Sequence, residues 1–157
     1  LYVNFFKMLI SFGIVAGFAA AYRIKPTAHL LYCVPVVLLI LLLTLGCGVI
    51  VAHFGVYIND LYNVVQVILR FMFYLSGVFY DVGDRLSQTT FFGLNVGRLM
   101  ITVNPVAYVI DELRKIIIYG QSLRFEMYIY WLVISLVLLC IGLKLMYRFE
   151  NSYIKVV

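Results

Sequence analysis

Charge is scarce in this chain. Only 12% of its 157 residues are Asp, Glu, Lys or Arg, about half the share in soluble domains. With 65% hydrophobic residues and a mean hydropathy of +1.06, an ordinary soluble fold is excluded. Histidine is scarcer still: His29 and His53 bracket one apolar run and would stand about 35 Å apart along a helix. That separation excludes a paired-histidine metal or catalytic site. The three cysteines, Cys33, Cys47 and Cys140, lie inside apolar runs with no zinc spacing or disulfide framework, and packing is reason enough for them. No Ser/His/Asp set or close carboxylate pair suggests itself, so catalysis by this chain is not expected. No Gly-rich phosphate loop carrying Lys is present either, so the chain is not expected to bind ATP by such a loop and no cofactor is expected here. The net charge of +5 is scattered, without a basic block interleaved with aromatics, which argues against nucleic acid. The sequence opens at Leu1 with no charged leader before a short apolar core; a chain incomplete at its N-terminus is expected.

Long apolar runs are what the chain does have, and they predict an all-α integral membrane protein of about four transmembrane helices. Tyr2 to Tyr22 forms the first, with Gly13 and Gly17 at the small-xxx-small spacing that allows close helix crossing. Arg23, Lys25 and Pro26 then punctuate a turn. Leu30 to Ala52 is free of charge, with Pro35 in its first turns. Residues 53–60 make an elbow too short for a domain, so the next span must return antiparallel. That span, Asp60 to Tyr80, carries one polar stripe: Asp60, Asn63, Gln66, Arg70, Tyr74 and Gly77 recur by threes and fours. A membrane helix with such a stripe turns it toward protein or water.

Asp81 to Glu126 changes character. It holds nine charged residues from Asp81 to Arg124, yet Leu99 to Ile110 is nearly continuous apolar sequence. The run is too short to span and reads as re-entrant or interfacial. Asn104-Pro105 should break or start a helix. The run from Pro105 predicts a short amphipathic helix with Asp111, Glu112 and Lys115 on its polar face and Gly120 as its stop. Met127 to Leu143 is the last span, with Tyr128, Tyr130 and Trp131 at one end and Tyr147 at the other as an aromatic belt.

The order of these features resembles the membrane subunits of type-2 ABC exporters, in particular permeases for polysaccharides and teichoic-acid precursors. The residues that carry it are Gly46-Cys47-Gly48-Val49-Ile50-Val51-Ala52, Val56-Tyr57-Ile58-Asn59-Asp60, Phe73-Tyr74-Leu75-Ser76-Gly77-Val78-Phe79-Tyr80, and Val103-Asn104-Pro105 with Arg114 and Gly120. Ser76-Gly77 stands where many members have Ser-Pro, and Asn59 where Arg is frequent. The resemblance implies that residues 1–157 are one multi-pass permease domain of the plasma membrane, matching the C-terminal two-thirds of such a subunit. It implies a dimer with a second permease copy, driven by cytoplasmic ABC ATPase subunits, exporting a lipid-linked glycan. The elbow before Asp60 would be cytoplasmic and residues 81–126 an extracellular re-entrant gate. The alternatives are a type-2 ABC permease for a drug or small lipophile, and a membrane-embedded enzyme acting on lipid-linked sugars.

On this reading Asn63, Gln66, Arg70 and Tyr74 line the substrate path. Arg70 is either a channel-lining cation or a structural ion-pair or snorkelling residue. Tyr57 and Asp60 would touch the ATPase subunit, although Asp60 is equally explained as a carboxylate cap on the striped helix. Asn104, Pro105, Asp111 and Arg114 would belong to the gate; Asp111 and Arg114 are spaced for a weak surface pair.

Overall fold

In an apolar medium a backbone must satisfy its own N–H and C=O groups, so apolar runs of this kind close into helices. The computed structural model is accordingly mostly helical, and it describes residues 2–22, 28–78, 90–91 and 94–153. In chain order the helices are α1 (Tyr2–Ala21), α2 (Cys33–Gly55), α3 (Leu61–Tyr74), α4 (Val96–Val103), α5 (Pro105–Ile117) and α6 (Phe125–Tyr153). A 3-10 turn, Ala28–Tyr32, leads into α2. A two-residue antiparallel ladder, β1 (Thr90–Phe91) with β2 (Leu94–Asn95), precedes α4. The predicted turn at Arg23, Lys25 and Pro26, the exit at Phe79 and Tyr80, the charges Asp81, Asp84 and Arg85, and the tail at Lys155 lie outside the described residues.

Among the described residues two helices are long and apolar enough to cross a membrane, Ala28–Gly55 and Phe125–Phe149. They correspond to the second and last expected spans, each longer than its apolar run alone. The other two expected spans hold shorter apolar helices, Leu9–Phe18 and Leu61–Tyr74.

Helices α2 and α6 form the central pair, and they run in the same direction. The Tyr128 hydroxyl donates to Pro35 O at 3.5 Å near their N-termini. Gly46 lies on the backbone of Leu138 and Leu139, and Gly142 on Val49 and Ile50. Farther along, the ring of His53 meets that of Phe149 at 5.2 Å. At the two glycines the absent side chain is what lets the helices touch: a Cβ on Gly46 would stand 2.9 Å from Leu139 N. Gly13 and Gly17, the pair whose spacing suggested a close crossing, have nothing within 4 Å of where a Cβ would sit. The close approach is real but is made by glycines of two other helices.

Because α2 and α6 run parallel, the chain between them must come back to its starting end, and α3 makes that return. It leaves the elbow at the far end of α2 and finishes beside α4 and α5, which pack on the N-terminal halves of the central pair. There Leu39 and Leu43 of α2, Ile101 of α4, Tyr108 of α5 and Trp131 of α6 form one buried cluster. Val36, Ile116 and Leu123 form another beside it. Trp131 is not a belt residue: it is buried, and its indole N–H donates to Ile101 O at 3.2 Å. Tyr147, at the other end, is 77% exposed, as an interfacial residue would be.

Gly46→Ala should push α2 off α6, because the atom met is backbone and cannot rotate away. A cost of about 1–3 kcal/mol is expected for such overpacking, read as a lowered midpoint in detergent thermal unfolding. Gly48→Ala, with nothing within 4 Å of its Cβ, should leave the midpoint unchanged.

Candidate functional site

Two polar features stand out in this apolar body: the stripe on α3, and a set of polar side chains on α5 that reaches both of its neighbours. The stripe begins at the elbow. Asp60 occupies the N-cap position of α3, but its side chain makes no capping bond; its carbonyl accepts from the N–H groups of Asn63 and Val64 instead. The predicted carboxylate cap is therefore not formed, and the exposed Asp60 side chain is left for other contacts. Tyr57 is 45% exposed, with its ring 5.5 Å from that of the buried His53.

Along α3, Asn63, Arg70 and Tyr74 are exposed and Gln66 is half-buried, all on one face as the spacing predicts. The helix is shorter than its apolar run. It ends at Tyr74, where Leu75 caps it, the Ser76 hydroxyl donates to Phe73 O, and Gly77 adopts φ 74°, a left-handed turn suited to glycine.

That stop frees carbonyl groups among apolar surroundings, and α5 supplies the donors. Asn104 Nδ2 donates to Met72 O at 2.8 Å. The other end of the same amide caps α5: its Oδ1 accepts from Val106 N at 3.0 Å and Ala107 N at 3.4 Å. Pro105 follows as the first residue of α5, where its missing N–H costs nothing. About two and a half turns along, Arg114 Nη2 donates to Gly77 O at 3.1 Å. Asn104 and Arg114 thus hold α5 against the end of α3.

Asp111 does not share that contact. Instead of pairing with Arg114 at the surface, it is 2% exposed and bonds Lys115 Nζ at 2.8 Å and Arg124 Nη2 at 2.6 Å. Its neighbour Glu112 is wholly buried. Glu112 takes three bonds from Arg124: its Oε1 accepts from the backbone N–H at 2.8 Å, its Oε2 from Nε at 2.8 Å and Nη2 at 2.6 Å. The face expected to carry α5's solvated charges is therefore turned inward, and it clamps α5 to the residue just before α6. The turn between them closes through Gly120, at φ 60°, and Gln121 N–H to Lys115 O, so the predicted glycine stop holds.

Glu112, Arg124 and Tyr108 were not singled out from sequence. The available signal was a pair of adjacent carboxylates in an otherwise apolar helix, with a basic residue after the helix stop. Burial alone would lower the Arg124 pKa, but the hydrogen bond and charge of Glu112, then those of Asp111, carry it above its ordinary value. Burial, and then the charge of Glu112, push the Tyr108 phenol up, so it stays protonated at neutral pH. Its ring lies 6.0 Å from the Arg124 guanidinium carbon and 6.5 Å from the Trp131 ring. A neutral, four-charge clamp of this kind can hold position; nothing in it is arranged to activate a nucleophile. Among the described residues no group of three or more His, Cys, Asp or Glu could hold a metal ion.

Compared with known proteins, the chain matches the model of the family described as ABC-2 type transporter over residues 3–118. The matched region runs from α1 through the end of α5. No curated protein and no solved structure matches it.

Removing one partner of a buried pair leaves a charge stranded, at about 3–5 kcal/mol. Arg124→Leu, which leaves two buried carboxylates with Lys115 alone, should therefore lower detergent thermal stability severely. Adding Glu112→Leu should recover much of that loss, because the wholly buried charge goes with it. A double variant no more stable than the single one would mean that the clamp holds nothing.

Proposed function

The chain belongs to the ABC-2 type transporter family, and from that premise we propose that this membrane permease domain forms, with a second copy, the channel of an exporter for a lipid-linked polysaccharide or teichoic-acid-type polymer. Four spans then cross the plasma membrane, with α1 and α3 completing the pair formed by α2 and α6. As the family implies, cytoplasmic ABC ATPase subunits hydrolyse ATP, and Tyr57 and the exposed carboxylate of Asp60 meet them at the elbow.

The observation that carries this reading is the stripe on α3. Asn63, Arg70 and Tyr74 point away from the rest of the chain, which in lipid is expensive for a guanidinium. A facing second copy that encloses a watery path removes that cost. The path then offers a cation, amides and a phenol, which suit phosphate and sugar hydroxyls better than a purely apolar cargo. Helices α4 and α5, with Asn104, Pro105, Asp111 and Arg114, lie at the extracellular end of α3 as a re-entrant gate. Their bonds to Met72 O and Gly77 O support that placement.

Two experiments test it. Purified gently from its host, the protein should bring a nucleotide-binding subunit that hydrolyses ATP; a chain that purifies alone would remove the premise of an energised exporter. Arg70→Ala should slow glycan export about tenfold, the weight of a lost charged hydrogen bond, with the protein still assembled in the membrane. Loss of assembled protein would make Arg70 a structural residue, and unchanged glycan export alongside impaired efflux of a small lipophile would sink the polymer as cargo.

A further inference from the structure

Helix α6 carries no charge between Glu126 and Lys144, a rise of about 27 Å against the roughly 30 Å of a hydrocarbon core. Lys144 is therefore the first charge beyond the apolar stretch. Arg148 follows one turn on, about 6 Å farther along the axis. With Tyr147 they share one face of the helix, and all three are exposed. Back along that face lie Val137, 50% exposed, and Ile141, 46% exposed. Helix α2 packs on the other side, at Leu138 and Gly142, so the face is an apolar track that ends in two cations. Among the described residues neither cation has a carboxylate partner. The Arg148 guanidinium carbon stands 6.0 Å from the centroid of the Phe149 ring, and a ring contact leaves the charge in place.

We propose that this face of α6 holds an anionic phospholipid, its phosphate bridging Lys144 and Arg148 and one acyl chain lying along Ile141 and Val137. Depth decides in favour of a lipid over a soluble partner. An ammonium at the edge of the apolar stretch reaches the headgroup layer by extending along its own stem, a level that a protein in the aqueous phase does not enter. The exposed Tyr147 ring, one turn past that edge, suits the same layer. Two cations one turn apart can share a phosphate, and Arg148 adds a planar fork that matches its oxygens. A zwitterionic lipid brings its own ammonium close to the pair and gains less. The inference needs α6 to span the bilayer, as the permease reading has it, but it needs neither a glycan cargo nor an ATPase.

The test is native mass spectrometry of the purified protein in mild detergent, equilibrated with equal amounts of phosphatidylglycerol and phosphatidylcholine. Phosphatidylglycerol should be retained about thirtyfold over phosphatidylcholine, the factor for roughly 1 kcal/mol from each of two basic residues at an anionic surface. Lys144→Gln or Arg148→Gln alone should reduce the preference to about fivefold, and the two together should abolish it. Lys144→Arg combined with Arg148→Lys keeps both charges and should keep the preference. Equal retention of the two lipids by the unaltered protein, or a preference that survives the double Gln variant, overturns the proposal. So does a double Gln variant that keeps its lipid but comes away without the ATPase subunit, which would give this face to a protein partner. Retention of neither lipid would overturn it together with the span on which it rests.

Discussion

A helix that stops among apolar groups leaves carbonyl oxygens that water cannot reach, and much of this structure follows from where those oxygens find donors. Helix α3 stops at Tyr74 and leaves by a left-handed glycine. Two of the carbonyls in that turn, those of Met72 and Gly77, accept from side chains of the α4–α5 hairpin. An unsatisfied carbonyl in such surroundings costs on the order of several kcal/mol, so the short helix and the hairpin that meets it are one solution to one problem. Fourteen residues cover about 21 Å, less than the roughly 30 Å of a hydrocarbon core. The hairpin meets the helix where it stops.

The hairpin is held from its other side by charge. Glu112 and Asp111 converge on Arg124, and the four-charge set is neutral, which makes its burial tolerable. It is not fully satisfied: among the described residues Asp111 Oδ1, like the neighbouring Tyr108 Oη, is buried without a hydrogen-bond partner. A set of apolar side chains would cost less there. What the charges add is direction, because an Arg fork bonded to two carboxylates accepts far fewer arrangements than a greasy contact does. Helix α5 is thereby fixed to α3 through bonds to backbone carbonyls and to the residue just before α6 through ion pairs.

Much of this architecture could be read from the residues, because the apolar runs are long and their period is helical. The stripe from Asn63 to Tyr74, the helix start at Asn104-Pro105 and the stop at Gly120 all follow from local rules, and local rules are what sequence records directly. The errors arose wherever the answer depended on a partner distant in sequence. Asp111 and Glu112 look like a solvated face until Arg124 folds back onto them across a turn. Gly13 and Gly17 have the right spacing for a close crossing, but spacing does not say which helix arrives; Gly46 and Gly142 have no such motif and make the contact. Trp131 looked interfacial because its position in the run was interfacial, whereas the carbonyl that takes its N–H belongs to Ile101, thirty residues away.

Asn104 makes a different kind of demand. Its amide oxygen faces the free N–H groups at the start of α5 and its amide nitrogen faces a carbonyl of α3, so the residue must be acceptor and donor at once. Aspartate has the same shape but offers only oxygens, and would set a negative charge against Met72 O. Serine and threonine cap helices well, yet are too short to reach across with a second group. Glutamine carries both functions on a longer arm that misplaces them. The position therefore has no neutral neighbour in sequence space: drift there would require the end of α3 to change in the same step, and the two helices are bound to vary together or not at all.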